Sequence, residues 1–151
     1  MNLPPALATI KVDSVLHPSD FSDNSVKALR FAFALAELFG AKLHIAHVVK
    51  ESTSAVSNEL GRPADFEARA REVATRLLHQ HLEAHNLPAE GVIPVVLIGD
   101  PYAELIRYAR DNEIGMIVMG THGRRKITQL LMGSVAERVV RKAPCPVLTV
   151  P

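Results

Sequence analysis

Residues 114–123 read IGMIVMGTHG, a run in which nearly every side chain is apolar, closed by two glycines three positions apart. A strand with one face in water alternates apolar and polar residues, and Ile114–Met119 offers no polar face. It is therefore expected as a strand covered on both sides, in the middle of a parallel sheet. Immediately upstream, Gly99-Asp100-Pro101 turns into a helical pattern carrying Leu105, Ile106 and Ala109. Before that turn lies a further strand, Val92–Ile98, whose internal Pro94 cannot donate to a ladder and so points to a sheet edge.

The same two periods recur in both directions. Val12–Leu16 reads as a first strand, closed by a His17-Pro18 break. Ser22 is placed to cap a helix with Val26, Leu29, Phe33 and Ala36 at helical spacing, and Gly40 supplies its stop. Leu43–Val49 is the second strand, and residues 50–63, rich in Ser, Asn, Gly and Pro, read as a surface loop. Phe66, Val73, Leu77, Leu78 and Leu82 form an amphipathic helix ending near Asn86 to Pro88. After residue 123, a helix is expected from Gly133 to Lys142, stopped by Pro144, and then a short strand over Pro146–Val150. Regular alternation of strand and helix implies an α/β fold, a five-stranded parallel sheet with helices on both faces and right-handed crossovers. In such sheets ligands bind beyond the carboxyl ends of the strands, so function is sought in the loops that follow them.

Composition narrows the function classes. The 151 residues carry 17 Lys and Arg against 16 Asp and Glu, a net charge of +1, with one Cys and no Trp. A length of this order suits one domain, 1–151, able to bury its own core. Cys145 alone excludes an internal disulfide framework and a thiolate zinc cluster. No apolar run reaches the roughly 18–20 residues of a membrane span, and the N-terminal stretch lacks the pattern of a secretory signal, so a cytoplasmic location is expected. His81 and His85 share a helix face, but no carboxylate completes a metal-ligand set in the sequence pattern, and no metal site is assigned. His44 and His47 fall on opposite faces of their strand because their spacing is odd. Cys145, between two prolines, reads as a small buried filler and not a nucleophile.

The glycines after the buried strand carry the chemistry. Gly120 and Gly123 let the backbone turn sharply and approach a ligand closely. Nine residues later Gly133-Ser134 opens a helix, where unpaired N–H groups and the helix dipole favour an anion. Arg124, Arg125 and Lys126 lie between them and could neutralise a polyphosphate. No Gly-Lys-Ser/Thr occurs, so this is not a Walker A loop, and the first strand is not followed by the GxGxxG of a dinucleotide fold. The segment from Gly120 onward is locally basic, with Arg138, Arg141 and Lys142 added to the loop cations, yet no aromatic residue is interleaved as nucleic-acid binding would want.

The pattern Gly120-x2-Gly123-x9-Gly133-Ser134 resembles the nucleotide-binding signature of the universal stress protein family. HPSDFSDNS after the first strand, LHIAHVV, GDPYAELIRYA, IVMGTHGR and GSVAERVVRKAPCPVLTV extend the likeness over nearly the whole chain. The resemblance implies a Rossmann-like open sandwich of strand order 3-2-1-4-5 and, because the glycine signature is complete, the branch of the family that binds ATP. It implies that Asp20 contacts the ribose, that the backbone of Val48 meets the adenine edge, and that Pro18 and Ser19 line the adenosine pocket, with Ser19 where the family more often has Thr. Met119 and Gly120 would lie near the ribose. Gly123, Gly133, Ser134 and Val135 would cradle the phosphates, with Arg124 beside them. Mg²⁺ would arrive with the triphosphate, and a homodimer would form through strand 146–150. Simpler roles stay open for several of these: Asp20 can help cap the first helix, Ser134 can be an N-cap, and Val48 and Met119 can be core residues. A nucleotide-dependent regulator is the reading preferred, with a slow ATPase and a nucleotide-free interaction protein as the rivals.

Overall fold

The computed structural model describes residues 11–50, 65–123 and 132–151. Among them strands and helices alternate as β1 (Ser14–Pro18), α1 (Asp23–Phe39), β2 (Lys42–Lys50), α2 (Phe66–Ala84), β3 (Val92–Gly99), α3 (Pro101–Asp111), β4 (Met116–Gly120), α4 (Ser134–Lys142) and β5 (Val147–Val150). The sheet is parallel throughout, in the order β3-β2-β1-β4-β5, which is the order expected. Pro94 sits on β3 at one edge, as its missing N–H demands.

Strand parity divides the core into two layers. Val15, Ile45 and Val118 face α1 and α2, packing against Ala28, Leu29, Ala32 and Ala36 of the first helix and Leu78 of the second. Their chain neighbours Leu16, Ala46 and Ile117 face α3 and α4, against Leu105, Ala109, Ala136 and Val139. A strand that feeds both layers needs an apolar residue at every position, which is why the sequence of β4 has no polar face.

The helix ends follow local chemistry. Ser22 caps α1, its hydroxyl accepting from the Ser25 N–H at 3.2 Å. Gly40, at φ +62°, ends it in the left-handed conformation and donates to the Ala36 and Glu37 carbonyls. Asp100 caps α3 through the Ala103 N–H at 3.0 Å. The alanines at 28, 32 and 36 form a smooth stripe that lets α1 lie close to the sheet.

Two strands start two residues later than expected: β4 at Met116 and not Ile114, and β1 at Ser14. β1 runs from Ser14 to Pro18, two residues later than the expected Val12–Leu16, so His17-Pro18 is its last pair and not a break. Proline is tolerated at the last strand position because its fixed φ suits extended backbone and the ladder passes to the next residue, with the Ser19 N–H donating to the Ala46 carbonyl at 2.8 Å. Val12 precedes the strand and still packs into the layer under α1.

Ile117 is fully buried at the centre of the sheet. Its replacement by Ala should cost about 2–5 kcal/mol by lost transfer free energy and the cavity left behind. A lowered urea midpoint at unchanged slope is the expected result.

Candidate functional site

The ladders on either side of β1 and β4 stop at different heights. β1 pairs with β2 as far as Pro18 opposite Ala46, and β4 with β5 as far as Gly120 opposite Val150. The β1–β4 register, in contrast, ends at Leu16 opposite Ile117. Beyond that pair the two halves of the sheet part, and a cleft of about 570 Å³ opens at their carboxyl ends. This is the switch point of the topology, since the crossovers leave to opposite faces on either side of it.

Of the residues named from sequence, Pro18, Ser19, Asp20, Val48, Met119, Gly120, Gly123, Gly133, Ser134 and Val135 all line this cleft. Arg124, with Arg125 and Lys126, lies outside the described residues. His122, which sequence places inside the glycine loop within reach of a phosphate or as a plain turn residue, lines it as well, as do Ala46, His47, Pro101, Leu105 and Thr121, which sequence does not assign to the site. Pro101 follows the carboxyl end of β3, and the rule that ligands sit beyond strand ends was the available signal for it.

The first rim is the β1–α1 turn. Asp20 Oδ1 accepts from the backbone N–H of Ser22 at 3.0 Å and from its hydroxyl, so Asp20 braces the residue that caps α1. The helix-supporting role left open for Asp20 is thus filled through Ser22, while Asp20 remains in the wall of the cleft. Phe21 follows at φ +64°, a conformation that strains a non-glycine residue. Its ring is stacked on His47 at 4.4 Å between centroids and tilted against His81 at 5.0 Å. His47 donates from Nδ1 to the Ser19 carbonyl at 2.9 Å. His44 points to the other face, its Nδ1 at 2.8 Å from the Tyr108 hydroxyl, as odd spacing requires. A second, apolar groove of about 520 Å³ adjoins on the α2 side, between Phe21, Val49, Phe66, Val73 and Leu77.

The second rim is the glycine loop. A Cβ on Gly120 would stand 2.7 Å from Asn24 Nδ2, and one on Gly123 would stand 3.0 Å from Asp20 Oδ2. Close approach of the two rims is therefore what these glycines provide, and it needs no unusual φ. Asn24 donates to the His122 carbonyl at 2.8 Å and ties α1 to the loop. The Gly133 N–H donates to the Thr121 carbonyl at 2.7 Å, closing the loop at its base, and a Cβ on Gly133 would stand 3.1 Å from that oxygen. Gly133 is the N-cap of α4 and Ser134 its first helical residue, so the N-cap role left open for Ser134 does not hold. No side chain caps this helix, which leaves the first-turn amides of Ser134, Val135 and Ala136 to the cleft they line. Arg138 lies 3.9 Å over the Tyr102 ring and 3.8 Å from Asp100, fastening the start of α3 to α4.

Beneath both rims lies His17, fully buried. Nδ1 donates to the Val118 carbonyl at 2.9 Å, and Nε2 stands 3.4 Å from the Ser25 hydroxyl. Burial holds its pKa down at about 4, against an opposing effect of the Val118 bond, so the ring is neutral at pH 7. Cys145 is half-buried, and burial pushes its thiol up, away from thiolate reactivity.

A family model described as the universal stress protein family matches residues 11–151. A universal stress protein of Thermus aquaticus is 32% identical over 139 residues, covering 91% of this chain and 97% of that protein. The solved structure of universal stress protein UspA from Lactobacillus plantarum shares the fold at 22% identity, with a TM-score of 0.76 over 95% of this chain and 100% of that one. Two further structures of the same fold are complexes. One is a universal stress protein with cAMP, at 24% identity, TM-score 0.64, covering 92% of this chain and 97% of that one. The other is the Archaeoglobus fulgidus protein with dAMP, at 21% identity, TM-score 0.62, covering 95% of this chain and 100% of that one.

The buried neutral His17 makes stability depend on pH. Between about pH 6.5 and pH 4 the unfolded chain binds a proton there that the native chain does not, so this contribution is complete above pH 6.5 and lost as pH falls through 4. Urea unfolding of the wild type should weaken by up to about 3 kcal/mol more across that window than unfolding of His17→Asn, which has no such proton to bind.

Proposed function

The chain belongs to the universal stress protein family, and on that premise we propose that it binds an adenine nucleotide, ATP foremost, and acts in the cytoplasm as a nucleotide-dependent sensor or regulator, with residues 1–151 working as one domain. The observation that carries this reading is the meeting of three glycines at which an added Cβ would crowd a neighbour, Gly120, Gly123 and Gly133, with an uncapped helix terminus at the strand switch point. A cleft of about 570 Å³ is within the range of small-molecule sites. That two proteins of this fold are complexes with cAMP and dAMP is consistent with an adenine-nucleotide ligand.

In this reading Asp20 accepts from ribose hydroxyls, for which a carboxylate is well suited. The backbone of Val48 meets the adenine edge, and Pro18 and Ser19 line the adenosine pocket. Met119 and Gly120 lie against the ribose. The amides of Gly123, Ser134 and Val135 cradle the phosphates, with the Arg124 cation added to them, while Gly133, whose own N–H is spent on the Thr121 carbonyl, holds the loop closed beneath them. Mg²⁺ would be held by the phosphates themselves: among the described residues no group of three or more His, Cys, Asp or Glu is placed to hold a metal ion. No described helix is long and apolar enough to cross a membrane.

The reading includes a homodimer through strand 146–150. β5 is an edge strand, and an uncovered edge with apolar side chains invites pairing with its symmetry mate. Leu148 on β5 is exposed, as are Phe31 on α1 and Val140 on α4, the two helices that pack on that strand.

Calorimetric titration of the purified chain with MgATP should give saturable binding, and freshly prepared protein should release adenine nucleotide when denatured. Gly133→Asp, which places a carboxylate where the phosphates would lie and a Cβ 3.1 Å from the Thr121 carbonyl, should weaken binding at least tenfold. Absence of heat at millimolar MgATP, with no nucleotide released, would refute the proposal. Sedimentation velocity should find a dimer that Leu148→Lys converts to monomer.

A further inference from the structure

The last registered pair between β1 and β4 is Leu16 with Ile117, yet the two strands stay close enough beyond it for one imidazole to span them. His17 donates to the carbonyl of Val118, the residue before Met119-Gly120, at 2.9 Å. Its other nitrogen faces the Ser25 hydroxyl at 3.4 Å, and that hydroxyl stands 3.2 Å from Ser19 Oγ. Ser19 Oγ in turn accepts from the Phe21 N–H at 3.3 Å, and the Ser19 carbonyl accepts from His47. A polar chain thus runs beneath the cleft from the β4 rim through His17, Ser25 and Ser19 to the β1 rim. His17 is wholly enclosed beneath the cleft, whereas Ser19 and Ser25, both buried, line it.

A polar bridge costs more to bury than a leucine of similar volume unless its bonds are used. Here they replace the ladder bonds that β1 and β4 no longer make. The Val118 carbonyl is satisfied by a side chain because no β1 amide is registered opposite it. We propose that His17 is a positioning residue for the cleft: by bridging Val118 to Ser25 it fixes the distance between the Ser19-Asp20 rim and the Met119-Gly120 rim. The ligand consequence rests on the nucleotide reading given above, whereas the spacing consequence does not. Because Nδ1 must donate to a carbonyl, the neutral ring carries its hydrogen on Nδ1 and leaves Nε2 as an acceptor facing the Ser25 hydroxyl. An apolar residue fills the space and leaves the carbonyl unpaired. Asparagine keeps a donor near the place of Nδ1, as the amide nitrogen sits at the same distance from the backbone.

The test uses the full chain and its His17→Leu, His17→Asn and Ser25→Ala variants, with two readouts. The first is amide hydrogen exchange without ligand. In His17→Leu, exchange should quicken at least tenfold at Ser19, Phe21 and Met119–Thr121 while the amides of α2 keep their wild-type rates; His17→Asn should restore most of that protection. The second is MgATP titration, where His17→Leu should bind at least tenfold more weakly, His17→Asn within threefold of wild type, and Ser25→Ala between them. The nitrogen-15 spectrum of the wild-type ring should show the Nδ1–H tautomer at pH 7. Wild-type exchange and affinity in a folded His17→Leu would overturn the proposal. So would equal losses in the Leu and Asn variants that merely follow their global stability. If His17→Leu does not fold, His17→Asn and Ser25→Ala decide by the same criteria. If the wild type itself binds no nucleotide, the functional reading fails, and the exchange pattern alone upholds or overturns the role of His17.

Discussion

Two neighbouring parallel strands whose crossovers leave on opposite faces cannot continue pairing to their ends and also make room for the loops that depart from them. β1 and β4 meet this conflict at Leu16 and Ile117, where their register stops while each strand continues to pair with its outer neighbour. The cleft is the space that this parting opens. The glycines of the second rim and the uncapped start of α4 are arranged around it, and the strained Phe21 turns from the first rim into the adjoining groove. So is the buried imidazole that joins the strands once their backbones have separated.

The constraint also explains where polar groups are buried. The buried members of the layer under α1 and α2 are alanine, leucine, valine and isoleucine, yet His17, Ser19 and Ser25 lie among the buried residues next to it. His17 and Ser19 each meet a backbone group that a strand or turn left unpaired, and Ser25 links the two. The Val118 carbonyl lacks a β1 partner, and the Phe21 amide turns inward at a left-handed residue. Such groups would be expensive in an ordinary core and are satisfied here in one connected chain. Asn24 does similar service on the surface side, spending its side-chain donor on the His122 carbonyl and so holding α1 against the glycine loop.

Much of this fold is legible in one dimension because its signals are local. The period of α1, the cap at Ser22, the stop at Gly40 and the all-apolar β4 depend on residues within a few positions of each other. The glycine loop was legible for the same reason, since Gly120, Gly123 and Gly133 mark where the loop backbone must come close to neighbouring groups. The end of β1 was not, because a proline reads as a break unless the next amide is known to carry the ladder on to Ala46. The exchange of roles between Gly133 and Ser134 turns on one residue of phase, which spacing alone does not fix. His17, Ser25 and Asn24 were invisible as site residues because their partners lie about a hundred positions away or across a turn. A histidine in an apolar strand announces neither the carbonyl it serves nor the strand that carries it.

The central claim is that the parted ends of β1 and β4 hold an adenine nucleotide. It is tested most directly by following backbone amide resonances of the isotopically labelled chain during titration with MgATP. The account predicts saturable shifts concentrated at Ser19, Asp20, Val48, Met119–Gly123 and Gly133–Val135, with the helix face around Ala74 and Leu78 unmoved. Shifts confined to the apolar groove between Phe66 and Leu77, or none at millimolar nucleotide, would contradict it.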